Sequence, residues 1–314
     1  MKFSSSRAVL TALLASGAFS APASLQTRQD GITDLDVLQF ALTLEHLENV
    51  FYKTALKSFS ETDFLAAGVS SATFEQMLFV AHDEEAHVQF LEQSISAAGG
   101  QPVAACEYNF PFTDVSSFVS LASVLEGVGV SAYLGGAPVI SSKDILAAAG
   151  AILVAEGLHQ SVIRSALFEV ASANIAGTAA TPNSIFTIAS AFIKSCPESN
   201  PPLPFKAFPT LQMAGDQKMA EAGQTATLTV DPSAQLGDQT FVTFVSGLDT
   251  VSVQAEVAEG SVSAVIPPEA QGQTFVMLTN SKISGTVSDG AVVAGPAVME
   301  VLPPAPKLDF SVQR

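Results

Sequence analysis

Residues 82–91 read HDEEAHVQFL, placing two histidines and three acids within six positions of a stretch, FEQMLFVAHDEEAHVQFLEQSI, that is apolar on at least one face. A solvated helix face could carry such a cluster, so its meaning depends on whether the chain repeats it. The chain does. Glu84 and His87 stand three apart, about one helical turn, and VAEGLHQ carries Glu156 and His159 at the same spacing. Two further apolar segments each hold a glutamate with a tyrosine seven residues on: Glu45 with Tyr52 in LTLEHLENVFY, and Glu126 with Tyr133 in ASVLEGVGVSAY. Seven residues is nearly two turns, so each tyrosine falls on the face of its own glutamate.

Two divalent metals close together need several carboxylates to offset their charge and imidazoles to complete their shells. One Glu from each of two helices and a Glu-x-x-His from each of two others supply four carboxylates and two histidines. An ionised acid in an apolar bundle core costs several kcal/mol unless it is paired or metal-bound. A single Glu-x-x-His is more often a surface pair than a ligand pair. Two of them, with two lone acids and matching tyrosines, point to a dinuclear site. The expected ligands are Glu45, Glu84, His87, Glu126, Glu156 and His159, with Tyr52 and Tyr133 as catalytic side chains beside them. Oxygen and nitrogen donors favour Fe or Mn over thiolate-seeking metals. The alternative is a bundle that keeps these residues without loading metal. Glu48 rivals Glu45 as the first-helix ligand. His46, His82, Asp83 and Glu85 fall off the ligand face, and Arg164 is expected at the surface in preference to a buried ion pair.

Apolar residues at three-and-four spacing predict helices over 34–59, capped by Thr33 or Asp34, and over 70–100, 114–136 and 141–171, with a shorter fifth over 181–196. Short connections between long helices imply an antiparallel four-helix bundle. CPESNPPLPFKAFPT then breaks the helical pattern. Beyond it, short β-branched runs (ATLTV, QTFVTFVSG, VSVQAEV, SVSAVI, QTFVMLTN, AVVAG, AVMEVL) predict a β-sandwich of immunoglobulin-like size. That region holds no His or Cys and no catalytic constellation. The expected plan is α+β by domain: a signal peptide over 1–20, a pro-segment over 21–28, the bundle over 29–197, a proline-rich linker over 198–214 and the sandwich over 215–310.

Hydrophobic residues make up 48% of the 314-residue chain and charged ones 14%, with a mean hydropathy of +0.37. Only the basic start and short apolar run of MKFSSSRAVLTALLASGAFSAPA attract a membrane-related reading, and it is that of a secretory signal cleaved after Ser20. The following residues end at Arg28, leaving Gln29 as the mature start. A net charge of −17 argues against nucleic acid and anionic membrane surfaces as partners. Two cysteines, Cys106 and Cys196, are expected to pair in an exported chain, the alternative being two buried thiols.

At these residues the chain resembles the ferritin-like superfamily of dimetal carboxylate proteins over roughly residues 30–196. More narrowly, it is similar to the secreted fungal ferritin-like proteins linked to stress response and late sexual development, and to the plant desiccation-related proteins. The resemblance implies that Glu84 and Glu156 bridge the metals, that Glu45 and Glu126 are terminal, and that His87 and His159 serve one metal each. The first functional expectation is a secreted, extracellular or wall-associated dimetal oxidoreductase acting on peroxide or dioxygen, because two redox-capable metals with Tyr52 and Tyr133 nearby suit two-electron chemistry. The competing readings are a non-catalytic stress or cell-wall protein on the same scaffold, and a metal-sequestering protein. Cell-wall contact and self-association through the bundle or the β-domain are the remaining expectations about partners.

Overall fold

The computed structural model describes residues 31–215 and 219–308. The signal peptide, the pro-segment and Gln29 lie outside the described residues.

The long helices are α1 (Asp34–Ser58), α3 (Ser71–Ala97), α4 (Val115–Gly136) and α5 (Lys143–Ala166). Each starts where a short polar side chain accepts from the backbone N–H groups of the first turn. Thr33 and Asp114 form capping boxes with Asp36 and Ser117, while Ser70 and Ser142 cap α3 and α5. A short helix, α2 (Glu61–Ala66), buries Phe64 against Phe74 and Phe118. Six residues are too few for a periodic signal, so nothing in the hydrophobic pattern predicts it.

The connections are not all short. The segment between α3 and α4 begins beside the start of α1, where the Val103 N–H donates to Gln39 Oε1 at 2.9 Å. It ends beside the last turns of α1, where Phe110 and Phe112 pack on Phe51, and Phe112 on Phe59. This crossover runs the length of the bundle, so α3 and α4 are parallel to each other and both are antiparallel to α1. One long crossover is how a ferritin-like bundle differs from an up-down-up-down one. The expected fifth helix also stops early. α6 (Pro182–Ser190) gives way to β2 (Ile193–Ser195), which pairs antiparallel with β1 (Glu107–Tyr108) of the crossover. Cys106 and Cys196 are joined beside that pair.

Among the described residues two stretches, Val115–Val139 and Lys143–Ala166, are long and apolar enough to cross a membrane, whereas the sequence reading finds a membrane-related signal only at the N-terminus. Both are bundle helices. The first is mostly buried. The second exposes Val154 and Leu158, and α3 exposes Phe79 and Phe90.

The remaining strands are β3 (Leu211–Met213), β4 (Met219–Ala220), β5 (Thr225–Val230), β6 (Phe241–Ser246), β7 (Asp249–Gln254), β8 (Glu256–Ala258), β9 (Ser261–Val265), β10 (Gly272–Thr279) and β11 (Val292–Val301). They form a five-stranded sheet, β4-β11-β10-β6-β7, and a four-stranded one, β3-β5-β9-β8. The first strand thus lies inside the stretch read as linker, and AVVAG with AVMEVL form one strand. The two sheets share a core that includes Leu228, Val262, Val242 and Phe244. β10 alternates with period two. Val276 and Leu278 enter that core, while Phe275 and Met277 turn the other way into the core of the bundle. One strand therefore walls both cores.

Candidate metal centre

Because α1 and α4 are antiparallel, a Glu-x6-Tyr on each places the tyrosine of one opposite the glutamate of the other. The Tyr133 hydroxyl donates to Glu45 Oε1 at 2.5 Å, and the Tyr52 hydroxyl donates to Glu126 Oε1. Tyrosine and glutamate of the same helix lie on one face, but the bonds are made across the bundle.

The Glu-x-x-His pairs of α3 and α5 complete the centre. His87 Nδ1 lies 3.2 Å from Glu45 Oε2, 3.6 Å from Glu84 Oε2 and 3.5 Å from Glu156 Oε1. His159 Nδ1 lies 3.0 Å from Glu84 Oε1 and 3.3 Å from Glu126 Oε2. Two donor sets result: Glu45, Glu84, His87 and Glu156; and Glu84, Glu126, Glu156 and His159. Within each set one atom per residue lies within 4.8 Å of the others. Glu84 and Glu156 belong to both. All six side chains predicted as ligands are brought together, and the four glutamates are buried.

Such packing of acids is costly without a cation. Both carboxylate oxygens of Glu84 and of Glu156, one of Glu126, and His159 Nδ1 are buried without a hydrogen-bond partner. The close histidine approaches are short, but they lack hydrogen-bond direction for these atoms. Burial, then the neighbouring Glu45, pushes the Glu84 carboxyl up to about 8 despite the two imidazoles. Burial likewise holds Glu156 and Glu48 well above the carboxylate range, reinforced by the surrounding acids, Glu84 first. Burial opposes a charge on His87, but Glu45 and Glu84 outweigh it and raise the imidazole to about 10. For His159 burial is outweighed by Glu126 and Glu84, giving about 11. Burial raises both tyrosines, helped by Glu126 for Tyr52 and Glu45 for Tyr133, so each hydroxyl keeps its proton and donates. The clustered donors, their orphaned oxygens and their shared acids fit divalent metal ions, whose charge would replace the protons.

Gly129 makes the packing possible. A Cβ there would collide with Glu156 Oε2 and lie 3.1 Å from Glu48 Oε1. Glu48, the rival of Glu45 three residues on, is buried among the ligand carboxylates but belongs to neither donor set. Its i,i+3 spacing from Glu45 is the signal that marks it. Asp83 is half-exposed and sets Oδ2 3.3 Å from His159 Nε2, on the far side of the ring from the cluster. His82 is exposed, and Glu85 pairs with Lys53 at 3.2 Å. His46 is not solvated. It is buried, with Nε2 3.0 Å from the Val103 carbonyl of the crossover. Arg164 is not at the surface either. It is buried, donating through Nη1 and Nη2 to both oxygens of Glu300 on β11 at 2.8 and 2.5 Å. No local signal joins residues so far apart.

A one-crossover helical bundle with carboxylates and imidazoles in its core is the arrangement of ferritin-like bundles. Residues 33–169 match the family model described as the ferritin-like domain. Protein rds1 of Schizosaccharomyces pombe (strain 972 / ATCC 24843) is 25% identical over 189 residues, which are 57% of this chain and 44% of that protein. The chain therefore spans less than half the length of this relative.

Proposed function

We propose that the bundle holds two metal ions, Fe or Mn, and serves as a secreted dimetal oxidoreductase acting on peroxide or dioxygen. The observation that carries this reading is the pair of overlapping donor sets sharing Glu84 and Glu156. In it Glu84 and Glu156 would be shared by both ions, Glu45 and Glu126 would be terminal, and His87 and His159 would serve one metal each. When bound, the pair of redox-capable ions would supply two-electron chemistry toward an oxygen species. The protein's own part is to hold four carboxylates ionised and oriented. Tyr52 and Tyr133 act on Glu126 and Glu45 through their hydroxyl bonds, which makes them positioning residues in this scheme. Secretion is supported by the N-terminal sequence and the Cys106–Cys196 bridge, and a stress or developmental role by the resemblance described above. The immunoglobulin-like class of the sandwich belongs to the same reading. Self-association would use the apolar side chains exposed on α3 and α5.

Metal analysis of reconstituted protein, followed by a peroxide-consumption assay, tests the proposal. Two ions per chain are expected. Replacing Glu84 or Glu156 by Ala should remove both, whereas His87→Ala or His159→Ala should weaken mainly one. Fewer than one ion in the fully reconstituted protein would leave only the scaffold reading. Metal without peroxide turnover would favour sequestration.

A further inference from the structure

The two halves of the centre are not equivalent. On the Tyr52–Glu126 side the bundle is closed by Phe51, Tyr52, Phe64 and Phe118, all fully buried, with the other three rings each in contact with Phe118. On the Tyr133–Glu45 side the corresponding space is open. A cavity of about 240 Å³ lies between the first half of α1, the ends of α3 and α4 and the first half of α5. Its walls are mostly small or aliphatic, among them Ala41, Leu44, Ala132, Ala148 and Ile152, with Phe40, Phe90 and Phe205 also lining it. Its inner end is formed by Glu45, Glu48 and Tyr133, and Asp144 stands exposed at its rim. Tyr133 is only half-buried because its ring borders this space, whereas Tyr52 is sealed.

We propose that this cavity is a binding site for an uncharged straight-chain molecule, its alkyl part among the alanines and its polar end at Tyr133, Glu45 and Glu48. The volume holds roughly eight water-sized groups, and a methylene occupies about as much space as a water. Its near-absence of polar walls suits an alkyl chain and not a column of water. The charge pattern selects against anions. The lining carries acids at both ends and no lysine or arginine, and the chain as a whole bears −17. A fatty acid would bring a carboxylate to Asp144 at the rim or to three acidic and phenolic groups within, in a poor dielectric. A medium-chain alcohol or aldehyde meets neither obstacle. As the approach of an organic substrate, the cavity rests on the dimetal reading; as a binding site it does not.

The test uses the full chain and isothermal titration calorimetry with 1-heptanol as the probe, whose chain and hydroxyl match the cavity's volume. Saturable binding is expected, at concentrations at least tenfold below those needed with heptanoate. Ala148→Phe and Ala41→Leu fill the cavity from opposite walls. Each should weaken probe binding at least tenfold while keeping the wild-type metal content and a melting temperature no lower than wild type. Leu158→Ser, on the exposed apolar face of α5, should leave probe binding unchanged. Absence of saturable binding, equal binding of heptanoate, unchanged binding in both folded cavity variants, or loss in Leu158→Ser would each overturn the site. Metal stoichiometry is read on the same samples. Probe binding without metal would fail the dimetal reading alone, and metal without probe binding would fail the cavity alone.

Discussion

Gly129 shows how one missing side chain decides whether a core of acids can assemble. Glycine inside a helix costs about 1 kcal/mol relative to alanine, yet α4 carries it beside Glu126, where Glu156 and Glu48 close in from α5 and α1. Gly129→Ala should improve local helix propensity and still damage the centre, because the new methyl displaces Glu156. The expected outcome is loss of one or both metal ions with helix content retained by circular dichroism; full metal content would show that Glu156 is not a ligand. Protonation gives a second residue-scale prediction. In the metal-free protein Glu84 is raised to about 8, His87 to about 10 and His159 to about 11. The folded state then binds more protons than the unfolded one above the ordinary values of these groups. Their contribution to stability is complete below those values and is lost as pH rises through the folded ones. The metal-free melting temperature should therefore fall between pH 5 and pH 9. The loaded protein lacks these protons, so its melting temperature should not fall over this range, and the gap should widen with pH. Calorimetry of both forms across that range checks it, and a metal-free melting temperature that rose with pH would contradict the assignment.

At the scale of elements, the ligand faces are legible in the sequence because a 3.6-residue period fixes which side chains share a side of one helix. The partner across the bundle is not legible, since it depends on the direction of the neighbouring helix. That direction is set by the crossover between α3 and α4, whose length carries no periodic signal. Glu45 and Tyr52 look like a pair in sequence, and the fold pairs each with α4 instead. A double-mutant cycle separates the two geometries. Tyr52→Phe combined with Glu126→Gln should be clearly non-additive in metal affinity, whereas Tyr52→Phe with Glu45→Gln should be near additive. Either tyrosine change alone should weaken metal binding about 10–100-fold, as loss of a bond that orients a ligand does. Additivity of Tyr52 with Glu126 would place the hydroxyl elsewhere. The fifth helix fails for a comparable reason. Its apolar pattern continues to Cys196, but pairing of β2 with β1 and the adjoining bridge claim the last residues for a strand.

Across the whole molecule, the proline-rich stretch suggests two independent units, and the long-range contacts join them. Gln273 of β10 reaches between α4 and α5, donating to the Val124 carbonyl at 3.2 Å and accepting from Gln160 at 2.8 Å. Gly127 leaves the space for it, since a Cβ there would collide with the Gln273 amide. Thr181 and Asn183 at the start of α6 donate to Asp289, at 2.7 and 2.8 Å. These residues lie a hundred or more positions apart, beyond the range of any pattern argument. The Arg164–Glu300 pair is the sharpest probe of the joint, because Arg164 is 3% exposed and Glu300 14%. Glu300→Ala would strand the guanidinium with Glu169 at 3.4 Å and the Val170 carbonyl at 2.8 Å as its remaining partners. Breaking a buried pair from one side costs about 3–5 kcal/mol, whereas replacing both ends by apolar groups of similar size is often neutral. Glu300→Ala should therefore destabilise helices and strands together, in one transition seen equally by far-ultraviolet circular dichroism and by metal release. Arg164→Met with Glu300→Met should recover most of the loss. If the bundle instead kept its own melting temperature and metal in Glu300→Ala, while only the strands melted early, the two units would be independent despite their shared wall. The shared burial of Phe275, Met277 and Val287 in the bundle core argues for the single transition.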